Sequence, residues 1–108
     1  MKPFEYDHFV NYYETDRMCI THHSNYVRWM EEARLALLDS IGWGLLRFEN
    51  EGIVSPVVSL ECRYKKTTTY GDTIRVETEL TEFNGVKLKL RYVMRNEKDE
   101  IVFEGRSE

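Results

Sequence analysis

The chain has 108 residues, 42% of them apolar and 31% charged, with a formal net charge of −4. That length suits one domain near the lower end of what buries a self-sufficient core, and the composition excludes a disordered chain. The negative balance removes any general attraction for nucleic acid, and no apolar run is long enough to cross a bilayer.

The N-terminus, Met1-Lys2-Pro3-Phe4-Glu5, lacks the apolar core of a signal peptide. Cys19 and Cys62 form no CxxC pair, and two reduced thiols in a cytoplasmic protein are the simplest reading. No repeat or linker divides the sequence, so residues 1–108 are expected to form a single domain.

Phe4 to Tyr13 is rich in aromatic residues and predicts a first strand. Ser24 to Ile41 is the clearest helix. Tyr26, Trp29, Met30, Ala33, Leu37 and Ile41 recur at helical spacing, while Val27, Leu35 and Leu38 carry apolar character onto other faces. Ser24 or Asn25 is the expected N-cap, and Gly42 with Gly44 supplies the stop. A short helical piece is expected around Leu45 to Asn50.

Beyond that point the pattern changes to alternation. Val58, Leu60, Cys62 and Tyr64 share one face of a strand, with Pro56 near its start, and Tyr70-Gly71-Asp72 reads as a turn. In the next hairpin Ile74, Val76, Thr78 and Leu80 lie on one face with Val86, Leu88, Leu90, Tyr92 and Met94. A three-residue loop, Phe83-Asn84-Gly85, keeps both apolar faces together and sets Glu79 opposite Lys89 and Glu77 opposite Arg91. Asn96-Glu97-Lys98-Asp99 makes another turn before a last strand beginning at Ile101-Val102-Phe103. The resulting class is α+β, an antiparallel sheet with one face packed on a long helix.

The densest chemistry lies between the first strand and the helix, in Tyr12-Tyr13-Glu14-Thr15-Asp16 through His22-His23-Ser24-Asn25-Tyr26. A helix start offers unpaired N–H groups and a positive dipole end, a natural seat for anionic chemistry. Cys19 with His22 and His23 lacks the further ligands that a closed zinc site needs.

This order, with Tyr12-x-x-x-Asp16 and then His23-Ser24-Asn25-Tyr26-Val27-Arg28-Trp29-Met30 opening the helix, resembles the hotdog-fold acyl-CoA thioesterases. The 4-hydroxybenzoyl-CoA thioesterase and YbgC-like group is the nearest subgroup. Tyr64-Lys65-Lys66 followed by Tyr70-Gly71-Asp72 is similar to that family's later strand-and-turn signature. The resemblance implies a long helix wrapped by a curved antiparallel sheet. It also implies a homodimer with sheets joined edge to edge, often paired again into a tetramer, with active sites at the dimer interface. Family members usually run a few dozen residues further and carry a longer final strand. Arg17-Met18-Cys19 stands where they commonly have small residues.

By that resemblance Asp16 is the catalytic carboxylate, as general base or as nucleophile. His23 supplies a backbone donor for the developing oxyanion, and Tyr12 places its phenol near Asp16. A thioester needs little else, because its leaving thiol has an unperturbed pKa of about 8.5, so no metal or redox cofactor is expected. Arg63, Lys65 and Lys66, with the turn at Gly71, are the candidate seat of the coenzyme A phosphates. Lys87, Lys89 and Arg91 are a weaker alternative. Tyr26, Trp29, Met30 and Met18 either line an acyl pocket or fill the core. The alternatives in function are a hotdog hydratase or dehydratase and a non-catalytic acyl-binding scaffold.

Overall fold

The computed structural model describes residues 4–42, 50, 59–83 and 88–108. The expected helical piece at Leu45 to Asn50, Gly44, Pro56, Val58, Val86 and the Asn84-Gly85 turn fall wholly or mainly outside them. Among the described residues five antiparallel strands form one sheet in the order β1-β3-β4-β5-β2. They are β1 (Phe4–Phe9), β2 (Leu60–Tyr64), β3 (Thr73–Phe83), β4 (Leu88–Arg95) and β5 (Ile101–Ser107), with the helix α1 (Ser24–Ser40) between β1 and β2. This is the hotdog arrangement. No described helix is long and apolar enough to cross a membrane.

α1 buries Tyr26, Trp29, Met30, Ala33 and Leu37 against the inward faces of β3, β4 and β5. There Ile74, Val76, Tyr92, Met94 and Phe103 are almost wholly excluded from solvent. Each large side chain so buried contributes about 1.5–3 kcal/mol. Of the four residues that could have lined an acyl pocket, Tyr26, Trp29 and Met30 are core, and Met18 is exposed. The helix stops at Ser40, whose hydroxyl donates to the Leu37 carbonyl at 2.6 Å. Gly42 then takes φ +85°, so Ile41 falls past the helix end and is exposed rather than completing the apolar stripe.

Two further sequence expectations are corrected. β1 ends at Phe9, not Tyr13. Asn11 and Glu14 form a capping box that winds Tyr12–Glu14 into a single 3-10 turn. The residue flanking α1 is His23, in helical conformation, and His22 Nδ1 takes the Ser24 N–H at 3.3 Å in place of a Ser24 or Asn25 cap.

The β3–β4 register is also displaced from the expected one by two residues. Glu79 stands opposite Arg91 and Leu80 opposite Leu90, with Thr81 inserted before Glu82 pairs with Lys89. Up to that insertion the inward faces are those expected, because a shift of two leaves side-chain parity unchanged. Only the charge partners move: Glu79 meets Arg91 at 2.8 Å, Glu82 meets Lys89 at 3.3 Å and Glu77 meets Arg95 at 2.9 Å.

Candidate active site

Between the 3-10 turn and α1 the chain makes a small ribbon with Asp16 near its tip. Thr15 and Thr21 face one another as an antiparallel bridge. Above it the Asp16 N–H donates to the Ile20 carbonyl at 2.9 Å, and below it the His22 N–H donates to the Glu14 carbonyl at 2.9 Å. The tip is tight. The Cys19 N–H returns to the Asp16 carbonyl at 3.0 Å, and Cys19 takes φ +63°.

One flank of the ribbon is fastened to the segment before β3. The Thr21 N–H reaches the Thr68 carbonyl at 2.8 Å, and the Thr69 hydroxyl donates to the Cys19 carbonyl at 2.6 Å. The buried Thr21 and Thr68 hydroxyls lie 2.6 Å apart, with the Tyr26 hydroxyl 3.1 Å from Thr68.

Asp16 is exposed, and its Oδ1 accepts the Met18 N–H at 2.8 Å. His23 is exposed at the head of α1. Its carbonyl accepts the Tyr26 N–H at 3.4 Å and the Tyr64 hydroxyl at 3.3 Å, while its own N–H meets no partner among the described residues. The His23 ring lies edge-on to Tyr64 and 4.3 Å from the His22 ring. Tyr12, 76% exposed, stands edge-on to Tyr70, and its carbonyl takes both the N–H and the hydroxyl of Thr15. No hydrogen bond joins the Tyr12 phenol to Asp16 in this chain.

The cationic residues point in different directions. Lys65 and Lys66 follow β2 and are exposed, both of their N–H groups reaching the Val102 carbonyl, and Lys66 is ion-paired with Glu100. Arg63 lines the sheet face turned away from α1, beside Arg91 and Arg106. Gly71 occupies the turn with φ +94°, and its N–H is committed to the Val10 carbonyl at 3.1 Å.

Sequence reasoning missed Glu14. It is 4% exposed, and its carboxylate accepts from the Asn11 N–H (2.8 Å), Asn11 Nδ2 (3.2 Å), His8 Nε2 (2.8 Å) and Trp29 Nε1 (2.7 Å). Burial alone would raise this carboxyl, but the donors outweigh it and hold it below the ordinary value. The Asn11-x-x-Glu14 capping-box spacing was the available signal.

The thioesterase-like superfamily model matches residues 10–107. A Bacillus subtilis protein named "Putative acyl-CoA thioesterase YneP" is 40% identical over 92 residues, covering 85% of this chain and 67% of that protein. Among solved structures, a hypothetical protein from Aquifex aeolicus aligns with a TM-score of 0.91 at 33% identity, over 97% of this chain and 85% of that one. A DHNA-CoA thioesterase from Staphylococcus aureus aligns at 0.89 and 32% identity, over 95% of this chain and 69% of that one. With the match spanning the ribbon, α1 and every strand after it, the chain belongs to the thioesterase-like superfamily.

Proposed function

We propose that the protein hydrolyses acyl-CoA thioesters to the free acid and coenzyme A, with Asp16 as the catalytic carboxylate. The observation that carries this is an exposed carboxylate on a ribbon running directly into a helix start that holds an unspent N–H. Both routes open to Asp16 use that arrangement. As general base it takes a proton from water, whose oxygen bonds to the thioester carbon; as nucleophile its own oxygen does so, giving an anhydride that water then cleaves. In either case negative charge grows on the carbonyl oxygen, where the His23 N–H and the α1 dipole stabilise it. The C–S bond then breaks and the coenzyme A thiolate leaves. A thiolate is a good enough leaving group that the reaction needs neither a metal nor a redox cofactor.

The Met18 N–H keeps the Asp16 carboxylate oriented toward reaction, and the exposed Tyr12 phenol is assigned to the same site. Arg63, Lys65 and Lys66, running to the Gly71 turn, are the proposed seat of the coenzyme A phosphates. Lys65 is available directly, whereas Lys66 exchanges Glu100 for phosphate. A homodimer completing the site belongs to the same proposal. It is supported by the outer edge of β2, which has no strand beside it among the described residues and exposes Leu60 and Tyr64.

The test is coenzyme A release from acetyl-, hexanoyl-, palmitoyl- and benzoyl-CoA, followed with a thiol reagent. Asp16→Ala should abolish nearly all turnover with the fold intact. Full activity in that variant refutes the assignment.

A further inference from the structure

We propose that Glu14 is a positioning residue that sets the Asp16 ribbon against the head of α1; this rests on the catalytic reading of Asp16 given above. Glu14 acts at both of its ends. Its carboxylate is held by groups from three places in the chain: His8 from β1, Asn11 at the cap of the 3-10 turn and Trp29 from the second turn of α1. Its carbonyl is the foot of the ribbon, accepting the His22 N–H at 2.9 Å and the Asn25 side-chain amide at 2.9 Å.

One buried residue therefore connects the core to the rung from which Asp16 rises on one side and His23 follows on the other. His8 braces the side chain further, since its second ring nitrogen lies 3.4 Å from Glu32 Oε2. With both ring nitrogens facing carboxylates, the imidazole cannot rotate without losing a partner.

The chemical consequence is alignment. A seven-residue excursion, Thr15 to Thr21, exposed from Asp16 to Cys19, would drift relative to the helix start if its foot were free. The Thr68 and Thr69 contacts hold only one flank. Attack on a carbonyl while a separate N–H stabilises the oxygen requires both groups to stay within a fraction of an ångström of their productive placement. Glu14 supplies that constraint without touching substrate. Its loss should act on kcat rather than on KM, because none of the residues assigned to coenzyme A is among its hydrogen-bond partners.

Glu14→Gln keeps the volume but replaces one acceptor oxygen with a donor facing His8 or Trp29. Trp29→Phe removes a single donor and keeps a ring in the core. With the best thioester of the panel above, Glu14→Gln is expected to lower kcat roughly 10- to 100-fold with KM changed less than about twofold, and Trp29→Phe to lower kcat by a smaller factor. Thermal melting must show each variant folded at the assay temperature.

A folded Glu14→Gln with wild-type kcat overturns the proposal, as does a loss confined to KM. Should Glu14→Gln not fold, Trp29→Phe decides alone, and unchanged kcat there is equally fatal. Asp16→Ala, run in parallel, keeps the two ideas apart: an active Asp16→Ala defeats the catalytic reading, whereas an inactive one beside an unaffected Glu14→Gln defeats only the positioning role.

Discussion

The indole N–H of Trp29 donates to Glu14 Oε2 at 2.7 Å, so the bulkiest fully buried side chain ends on the one buried carboxylate among the described residues. Each group needs the other. A buried indole N–H without an acceptor, or a buried carboxylate without donors, would cost more than the pair gains by meeting.

That pairing has a definite pH signature. Burial would raise the Glu14 carboxyl, but hydrogen bonds from Asn11, His8 and Trp29 bring it below the ordinary 4.5. A group lowered on folding binds fewer protons in the native state than in the unfolded one. Its stabilisation is therefore present above the ordinary value and is lost as pH falls through the lowered native value. The melting-temperature advantage of wild type over Glu14→Gln should be widest near neutral pH and shrink steadily below about pH 4. An advantage that stays constant down to about pH 3 would mean Glu14 is not the ionised group described here.

Cys19 holds φ +63° at the tip of the Asp16 ribbon while its side chain lies in solvent. Left-handed backbone costs a residue with a Cβ about 1–2 kcal/mol, and a β-branched one more. Glycine relieves that strain, less its entropic cost of roughly 0.5–1 kcal/mol. Cys19→Gly should thus be neutral or slightly stabilising, whereas Cys19→Val should destabilise, because Cys19 already bears the cost of a Cβ and branching adds to it. Urea denaturation of the two variants measures the difference. Equal midpoints would mean the tip is not held in this conformation.

Gly105 sits at mid-strand in β5, where β2 and β4 both pair with it. A Cβ there would lie 2.8 Å from Phe103 Cε1 and 3.0 Å from the Met30 methyl. Met30 can yield, but the Phe103 ring is stacked on Tyr26 at 5.2 Å with an interplanar angle of 13°. Gly105→Ala should therefore cost about 1–3 kcal/mol through overpacking, read as a lower thermal midpoint. An unchanged midpoint would show that the ring has room to move.

The hairpin of β3 and β4 separates what alternation can encode from what it cannot. Which side of each strand faces α1 was legible, since Ile74, Val76, Leu90, Tyr92 and Met94 keep period two on the stretch of the ladder before the Thr81 bulge. The register was not. Acids at Glu77, Glu79 and Glu82 face cations at Lys89, Arg91 and Arg95, and these charges pair well in more than one alignment differing by two residues. The bulge at Thr81 and the packing of both strands under α1 select among them.

The site divides in the same way. Asp16 and His23 stood out because they lie close together in the chain, and the ribbon that carries Asp16 runs on into the head of α1 where His23 sits. Glu14 lies two residues from Asp16, yet its donors come from His8 and Trp29, on elements that meet only when β1 and α1 pack. Arg63 and Lys65 would share one face of a continuous strand, but β2 ends at Tyr64: Arg63 lines the outer face of the sheet, while Lys65 and Lys66 follow the strand and Lys66 pairs with Glu100.

By itself, then, the sequence determined the helix, the inward faces of the strands and the placement of Asp16 just ahead of α1, because each follows from neighbours a few residues apart. Only the tertiary structure decided the β3–β4 register, the direction of the cations and the burial of Glu14. Those depend on which distant groups arrive to satisfy one another once the helix closes on the sheet.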